Sequence, residues 1–515
     1  MRKPLTKRAR SLWLSLLALV IVGALLAALL LLLPPSDTDG DGEQPIPDET
    51  VSLLDKTKDE KITLTSATVS LGEKRYTLAA TADKLYTLSG YEDLPLDQSA
   101  LSETAATLLS VTATRLVTES PQDPTEFGFD TKNNTSVSAT YSDNSTFAFE
   151  IGNLTPAKDG YYLRVSGKPA VYTMDSAFCD TVSTDLTGYL DLSPIVAPES
   201  KETTDTVVVR DVTLSGSVRP SPIFFQIIPK KESDGDTSST LISSHMIQRP
   251  YFHAVDRESL LLTYGTFTLM TANGVEKIRP TKADLKTYGL SSPYSTCTVN
   301  LSLERTTETK DSAGNATKTI SYHSTLSYTI QLGKQDKEGN YYGIVYNEKT
   351  MIPLVYRFPA DTVKTWVTAQ YEDVADDLLY FNYIQDMESV TITADGKTHT
   401  FKLKHIPDEK DTEKNLIVTA DGKTYPVSGF RTLYSSLLAL FRTGTANEKP
   451  SGTPLLSITF NPITGDSTHV DIYSYTAGHG IAVHSTGERH LVDMKTVQTL
   501  IKTYTKYLAG EDISL

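Results

Sequence analysis

DPTEFGFDTKNNTSVSATYSDNSTFAFEIGNLTPAKDGYYLRVSGKPAVYTMDSAFCDTV, residues Asp123–Val182, returns in altered form about 160 residues later. Glu126-Phe127-Gly128-Phe129 reappears as Thr287-Tyr288-Gly289-Leu290, and Ile151-Gly152-Asn153 as Leu332-Gly333-Lys334. Asp159-Gly160-Tyr161-Tyr162 reappears as Glu338-Gly339-Asn340-Tyr341-Tyr342, and Val171-Tyr172 as Val355-Tyr356. The offset grows from 161 at the first landmark to 181 at the second, so the second copy has gained about twenty residues, in the polar run Glu304–His323. Alternation in Phe147-Ala148-Phe149-Glu150-Ile151 puts two phenylalanines and an isoleucine on one face of a strand. The cassette therefore reads as short strands, Val137–Tyr141, Thr146–Ile151, Tyr161–Val165 and Ala170–Met174, closed by a helix that Asp175 caps.

Working outward, three units follow from this cassette: residues 51–192, 193–380 and a divergent third, 381–515. In the first, Ile62–Val69 and Arg75–Ala80 form a meander about Gly72-Glu73. Asp97 then caps a helix whose apolar positions, Leu101, Ala105, Leu108 and Leu109, share one face. The second unit lacks a clear counterpart of that helix, and Leu260–Ala272 reads as strands. In the third, Asp395-Gly396 and Asp421-Gly422 between alternating strands are strong hairpin signals. Tyr434, Leu437, Leu438 and Phe441 then step as a helix face, and Met494, Val497, Ile501, Tyr504 and Leu508 make a last apolar stripe. Repeats this long are not a solenoid of short repeats. The fold class is α+β: a transmembrane helix, then tandem β-rich units, each an antiparallel sheet with one or two packing helices.

The turn with its Tyr-Gly-Leu type residues, the meander, "IG…DGYYLRV" and the "VY" leading into a helix resemble the bacterial family called domain of unknown function 4340. The resemblance takes in both cassettes and, more loosely, a third. It implies a membrane-anchored extracytoplasmic protein, often associated with ABC transporters of the gliding-motility auxiliary type. It brings no catalytic residue with it.

Leu12–Leu33 is an uncharged run of 22 residues in which only Ser15 is polar. At ~1.5 Å per helical residue it spans the ~30 Å hydrocarbon core. A cleaved signal peptide has a shorter apolar region and a small-residue cleavage site, so the run is read as a retained anchor. Arg2, Lys3, Lys7, Arg8 and Arg10 precede it and place residues 1–11 in the cytoplasm. All 63 acidic residues follow the run, so a formal charge of −15 for the chain hides a more acidic body. Such a body disfavours nucleic acid as a partner. Residues 34–50 are an acidic Pro/Gly linker. Asp37, Asp39, Asp41, Gly42 and Asp48 mimic the spacing of a calcium loop, but Pro45 and Pro47 stiffen it and no amphipathic helix flanks it. It is read as a spacer.

No motif supplies chemistry. Gly396-Lys397-Thr398 and Gly422-Lys423-Thr424 lack the leading glycine of a phosphate loop and are hairpin turns. No nucleophile elbow is present, and Cys179 and Cys297 have no catalytic context and read as free buried thiols. His469, His479, His484 and His490 crowd the last fifty residues, yet without a zinc pattern they read as solvent-facing strand residues. Among 27 tyrosines the doublets Tyr161-Tyr162 and Tyr341-Tyr342 should each turn one ring to the core and one outward. These four are the candidate binding surface. No cofactor or metal is expected. The sequence points to a single-pass extracytoplasmic binding or accessory protein of the cell envelope, touching lipid through residues 12–33, with ABC transporter subunits as the partner the resemblance implies. An envelope hydrolase or metal-dependent enzyme using the C-terminal histidines or a carboxylate pair, and a structural spacer or sensor, are the alternatives.

Overall fold

A computed structural model describes residues 50–129, 134–200, 202–227, 244–256, 267, 270–310, 316–406 and 411–513. The apolar run Leu12–Leu33 and the calcium-like spacing Asp37–Asp48 lie outside these. Among the described residues no helix is long and apolar enough to cross a membrane.

The first unit contributes β1 (Val51–Asp55), β2 (Leu64–Leu71), β3 (Lys74–Ala80), β4 (Tyr86–Leu88), β5 (Ser110–Ala113), β6 (Arg115–Thr118), β7 (Thr135–Tyr141), β8 (Thr146–Leu154), β9 (Gly160–Val165) and β10 (Val171–Asp175). Eight of them form an antiparallel sheet in the order β4-β3-β2-β7-β8-β9-β10-β6. A helix, Gln98–Thr107, leads from the meander at one edge to β5 and β6, and β6 joins the opposite edge. Asp97 starts that helix by accepting the amides of Ser99 and Ala100. Its Leu101 and Ala105, with Cys179 and Val182 of the helix Ser176–Val182, cover Val69, Val137, Phe149 and Leu163 of the sheet. Burying these apolar faces against each other is what holds the layer together.

The second unit supplies β11 (Asp205–Ser215), β12 (Ile223–Ile227), β13 (His245–Arg249), β14 (His253–Ala254), β15 (Gly274–Ile278), β16 (Ser295–Lys310), β17 (Ala316–Gln335), β18 (Tyr341–Asn347), β19 (Thr350–Met351) and β20 (Leu354–Phe358). The third supplies β21 (Met387–Ala394), β22 (Lys397–His405), β23 (Leu416–Ala420), β24 (Lys423–Tyr425), β25 (Arg442–Thr445), β26 (Leu456–Pro462), β27 (Thr468–Ser474), β28 (His479–His484) and β29 (Arg489–Asp493). Both repeat the first strand order, β13-β12-β11-β16-β17-β18-β20-β15 and β23-β22-β21-β26-β27-β28-β29-β25, with one extra strand beyond the meander edge. The third unit, divergent in sequence, is thus the same sheet as the other two. The turns Asp395-Gly396 and Asp421-Gly422 have positive φ at both residues, as tight hairpins require.

Two expectations are corrected, and a third is given its structure. Of Leu260–Ala272, Phe267 is helical and Met270–Ala272 are not in a strand. Phe267 is fully buried beside Trp366, so at that position tertiary burial, not strand pairing, accounts for the apolar residue; residues 260–266 and 268–269 lie outside the described ones. Phe441 leaves the apolar stripe because its helix ends at Leu438; the buried face is Phe430, Leu433, Tyr434 and Leu437, while Phe441 is exposed. The polar run Glu304–His323 is part of a ribbon: β16 and β17 pair as far as Lys310 and Ala316, although β11 reaches only Arg305 and β18 only Tyr328. At the ribbon's base, Arg305 donates Nε and Nη2 to Asp205 at 2.7 and 2.9 Å, and His323 Nε2 lies 3.4 Å away.

Each unit receives its incoming segment in the same place. β1 pairs antiparallel with β5, just before β6. The Ala272 amide, just before β15, donates to the Leu192 carbonyl, and the Leu379 amide donates to Leu440, just before β25. At the first junction Leu94, Leu190 and Ile195 are buried in the core of the second sheet. Arg279 lies over the Tyr91 ring there and pairs with Asp93.

Candidate functional site

The repeated glycines are where the two cassettes coincide in space. Gly128 and Gly289 both have positive φ, ending a short helical turn, Pro124–Phe127 or Lys282–Thr287. Each turn rests on a bulge in the long central strand, at Gly152-Asn153 in β8 and Gly333-Lys334 in β17. A Cβ on Gly152 would fall on the Phe127 carbonyl oxygen, and one on Gly333 on that of Tyr288. Glycine is needed for this close backbone approach. Beside each bulge a recess opens. The first, of about 350 Å³, is lined by Tyr161, Gly128, Gly152, Asn153 and Asp180; the second, of about 460 Å³, by Tyr341, Tyr294, Gly289, Gly333, Lys334 and Gln335. The shape repeats but the charge does not: a carboxylate borders one recess and an ammonium the other.

The tyrosine doublets alternate across the sheet, but neither ring is left free. Tyr161 and Tyr341 lie on the main-core side and border the recesses, Tyr161 within 3.5 Å of Asp180 and Tyr341 stacked on Tyr294. Tyr162 and Tyr342 lie on the other side, where the motif turn covers them: Tyr162 meets Phe127 edge-on at 4.9 Å, and Tyr342 meets Tyr288 at 4.7 Å. In the second unit this turn builds a small apolar cluster of its own around Leu290, Ile344 and Val355. The outward rings expected from alternation are therefore half-buried packing groups. The inner ring of each doublet borders one of these two recesses, and the outer rings line neither.

The histidines also depart from expectation. His479 is exposed and His469 sits 3.2 Å from Asp471, but His490 is buried and His484 is only partly exposed. The period-2 pattern put no weight on what lies at the end of the sheet, which is the neighbouring unit. There the short helix Tyr371–Val374 and the connector after it lie against the third sheet. The Tyr371 hydroxyl donates to Glu488 Oε1 at 2.9 Å, and His490 Nε2 lies 3.3 Å from Glu488 Oε2. Arg442, at the start of β25, donates to the carbonyls of Glu372 and Asp376 at 2.9 and 2.8 Å and to that of Ala375. His253 packs edge-on against both Tyr371 and Phe381. All five, His253, Tyr371, Arg442, Glu488 and His490, are less than a tenth exposed. Burial, reinforced by the Glu488 carboxylate, holds the Tyr371 hydroxyl well above the usual phenol range. Burial likewise pushes the imidazoles of His253 and His484 below the ordinary histidine range. Among the described residues no three of His, Cys, Asp and Glu are placed to hold a metal ion.

Residues 87–214 match the family described as a domain of unknown function (DUF4340). This stretch is a DUF4340 domain. No curated protein and no solved structure matches the chain. The DUF4340 domain opens within β4 and closes within β11, so it holds most of the lining of the first recess, the helices Gln98–Thr107 and Ser176–Val182, and the first unit's side of the first junction, while Ala272 and Arg279 lie beyond it. The second recess and the Tyr371–Glu488 cluster lie beyond it. Cys179, within the domain, is free and buried, and burial pushes its thiol up to about 12; Cys297, outside it, is free and buried as well. Neither thiol is poised as a nucleophile, because the reactive thiolate is disfavoured.

Proposed function

We propose that the chain is a membrane-tethered accessory protein whose three-sheet body, held outside the cytoplasm, binds a partner protein at the cell envelope. The tether rests on the uncharged run Leu12–Leu33 behind five basic residues. The binding role rests on one observation: a recess of similar size recurs at the same point of the first two units, each bordered by the inner tyrosine of its doublet. Amphipathic, rotamer-poor tyrosine is well suited to an interface, and two such points on one body can be engaged together. The contrasting charges of Asp180 and Lys334 suit two different segments of a partner better than two copies of one ligand. The DUF4340 resemblance supports subunits of an ABC transporter as the partner class.

The test is a photocrosslinking pull-down of the full-length protein from its native membrane, with the crosslinker placed beside Tyr161 or Tyr341 and recovered proteins identified by mass spectrometry. Recovery of the same membrane-protein subunits from both positions, lost from a distant control position, is expected. Recovery of nothing beyond the protein itself overturns the partner reading.

A further inference from the structure

We propose that the contact between the second and third units is an acid-opened joint, in which His253 stays buried, and His484 beside it partly so, only while the units are docked. The geometry is a polar cluster sealed between two separately built sheets. His253 belongs to β14 of the second sheet and is 2 % exposed. It is faced by Tyr371 from the short helix, Arg442 from β25 and Glu488 from the turn before β29. His484 of β28, partly exposed and with Nδ1 3.3 Å from the Thr486 hydroxyl, lies within electrostatic reach of Glu488, His253, His490 and His469. Around them the connector is tied to both sides. The Asp376 amide donates to the Ala254 carbonyl at 3.0 Å, and the Arg442 amide donates to the Asp377 carbonyl at 2.8 Å.

The cluster has little spare capacity for charge. His490 Nδ1 and His253 Nε2 make no hydrogen bond, and the other ring nitrogen of His253, Nδ1, lies 3.2 Å from the Ala254 carbonyl. A proton added to His253 would have to be carried beside the Arg442 guanidinium, and one on His484 beside three other imidazoles. Glu488 favours both protonated forms, but burial is the larger effect on each ring and opposes them. Separating the units returns both rings to water, where histidine binds a proton near pH ~6.5. The sign then follows from linkage. Because the open form binds more protons below that pH, the docked form is favoured at neutral pH and loses ground as pH falls. The first junction is a control within the same molecule. Among the described residues its buried groups are Leu94, Leu190 and Ile195 and its ion pair is Arg279–Asp93, with no buried imidazole among them.

Hydrogen exchange on the full-length protein in a detergent micelle tests this, with rates expressed as protection factors so that the intrinsic pH dependence is removed. Between pH 7.5 and 5.5 the amides of Asp376 and Arg442 should lose protection by about tenfold, the effect of one pH unit of differential proton binding, while Ala272 at the first junction keeps its own. The His253→Phe variant should lose most of that pH response. If it does not fold, His484→Gln provides the same comparison. Equal loss at both junctions, or an unchanged response in the folded variants, overturns the proposal.

Discussion

Gly152 illustrates how a repeated residue can be constrained without touching a ligand. Its backbone is not in the left-handed region, so the constraint is space: the Phe127 carbonyl occupies the place of a Cβ. Gly152→Ala must push the Pro124–Phe127 turn off the sheet, and overpacking of this kind costs about 1–3 kcal/mol. Gly478, with nothing near its would-be Cβ and no positive φ, is the matched control; Gly478→Ala should stay within about 0.5 kcal/mol. Urea midpoints of the two variants check both values. At this scale the sequence was informative wherever a residue's role is local. The repeat singled out Gly152 and Gly333, Asp97 and Asp175 cap the helices assigned to them, and Asp-Gly pairs make the hairpins. It misread His490 as solvent-facing, because the burial around Glu488 and His490 is supplied by Tyr371 more than a hundred residues away.

The ribbon of β16 and β17 is the element that most distinguishes the second sheet. The two strands outrun their neighbours, so the base must be held by something other than the ladder. Asp205 does this, gripping Arg305 in a bidentate pair with His323 close by, and the pairing draws its carboxyl down to about 2. A carboxyl depressed in the folded state stabilises it fully above its unfolded value of ~3.9 and ceases to do so as pH falls towards 2. The stability difference between the wild type and Asp205→Asn should therefore be constant from pH 7 to 5 and shrink between pH 4 and 2.5. Urea titrations at those pH values read it directly. Alternation and turn chemistry predicted most strands, and the repeat offset placed the twenty-residue gain at Glu304–His323, but neither showed whether it would extend the strands or the loop. A polar run in a hairpin lengthens the strands or the loop with the same composition, and only pairing decides between them.

Across the whole molecule, the two junctions differ in kind. Arg279 reaches Asp93 with its side chain about half exposed, whereas Arg442 is 7 % exposed and satisfies several connector carbonyls. Removing the first should shift the unfolding midpoint little, as is usual for exposed ion pairs. Arg442→Ala leaves buried carbonyls without donors and should cost about 2–4 kcal/mol. Thermal unfolding of the two variants ranks them; the reverse ranking would mean that the second junction contributes little. The common strand order of the three sheets was legible in part, as the shared finish of strand then helix. The crossover to the far edge was not, because the segments that make it, β5 and β6 or β25, are too short to carry a pattern.

The pairing of β1 with β5 also has a mechanical meaning. In the tethered arrangement proposed above, a pull on the body would pass through Val51–Asp55 first. Those five residues are laddered to β5 alone and belong to a sheet of two strands, apart from the eight-stranded sheet beside it. Tension on the tether would strip this small ladder before it strained the eight-stranded sheet. The released segment would then add slack between membrane and body while the recesses beside Tyr161 and Tyr341 kept their form.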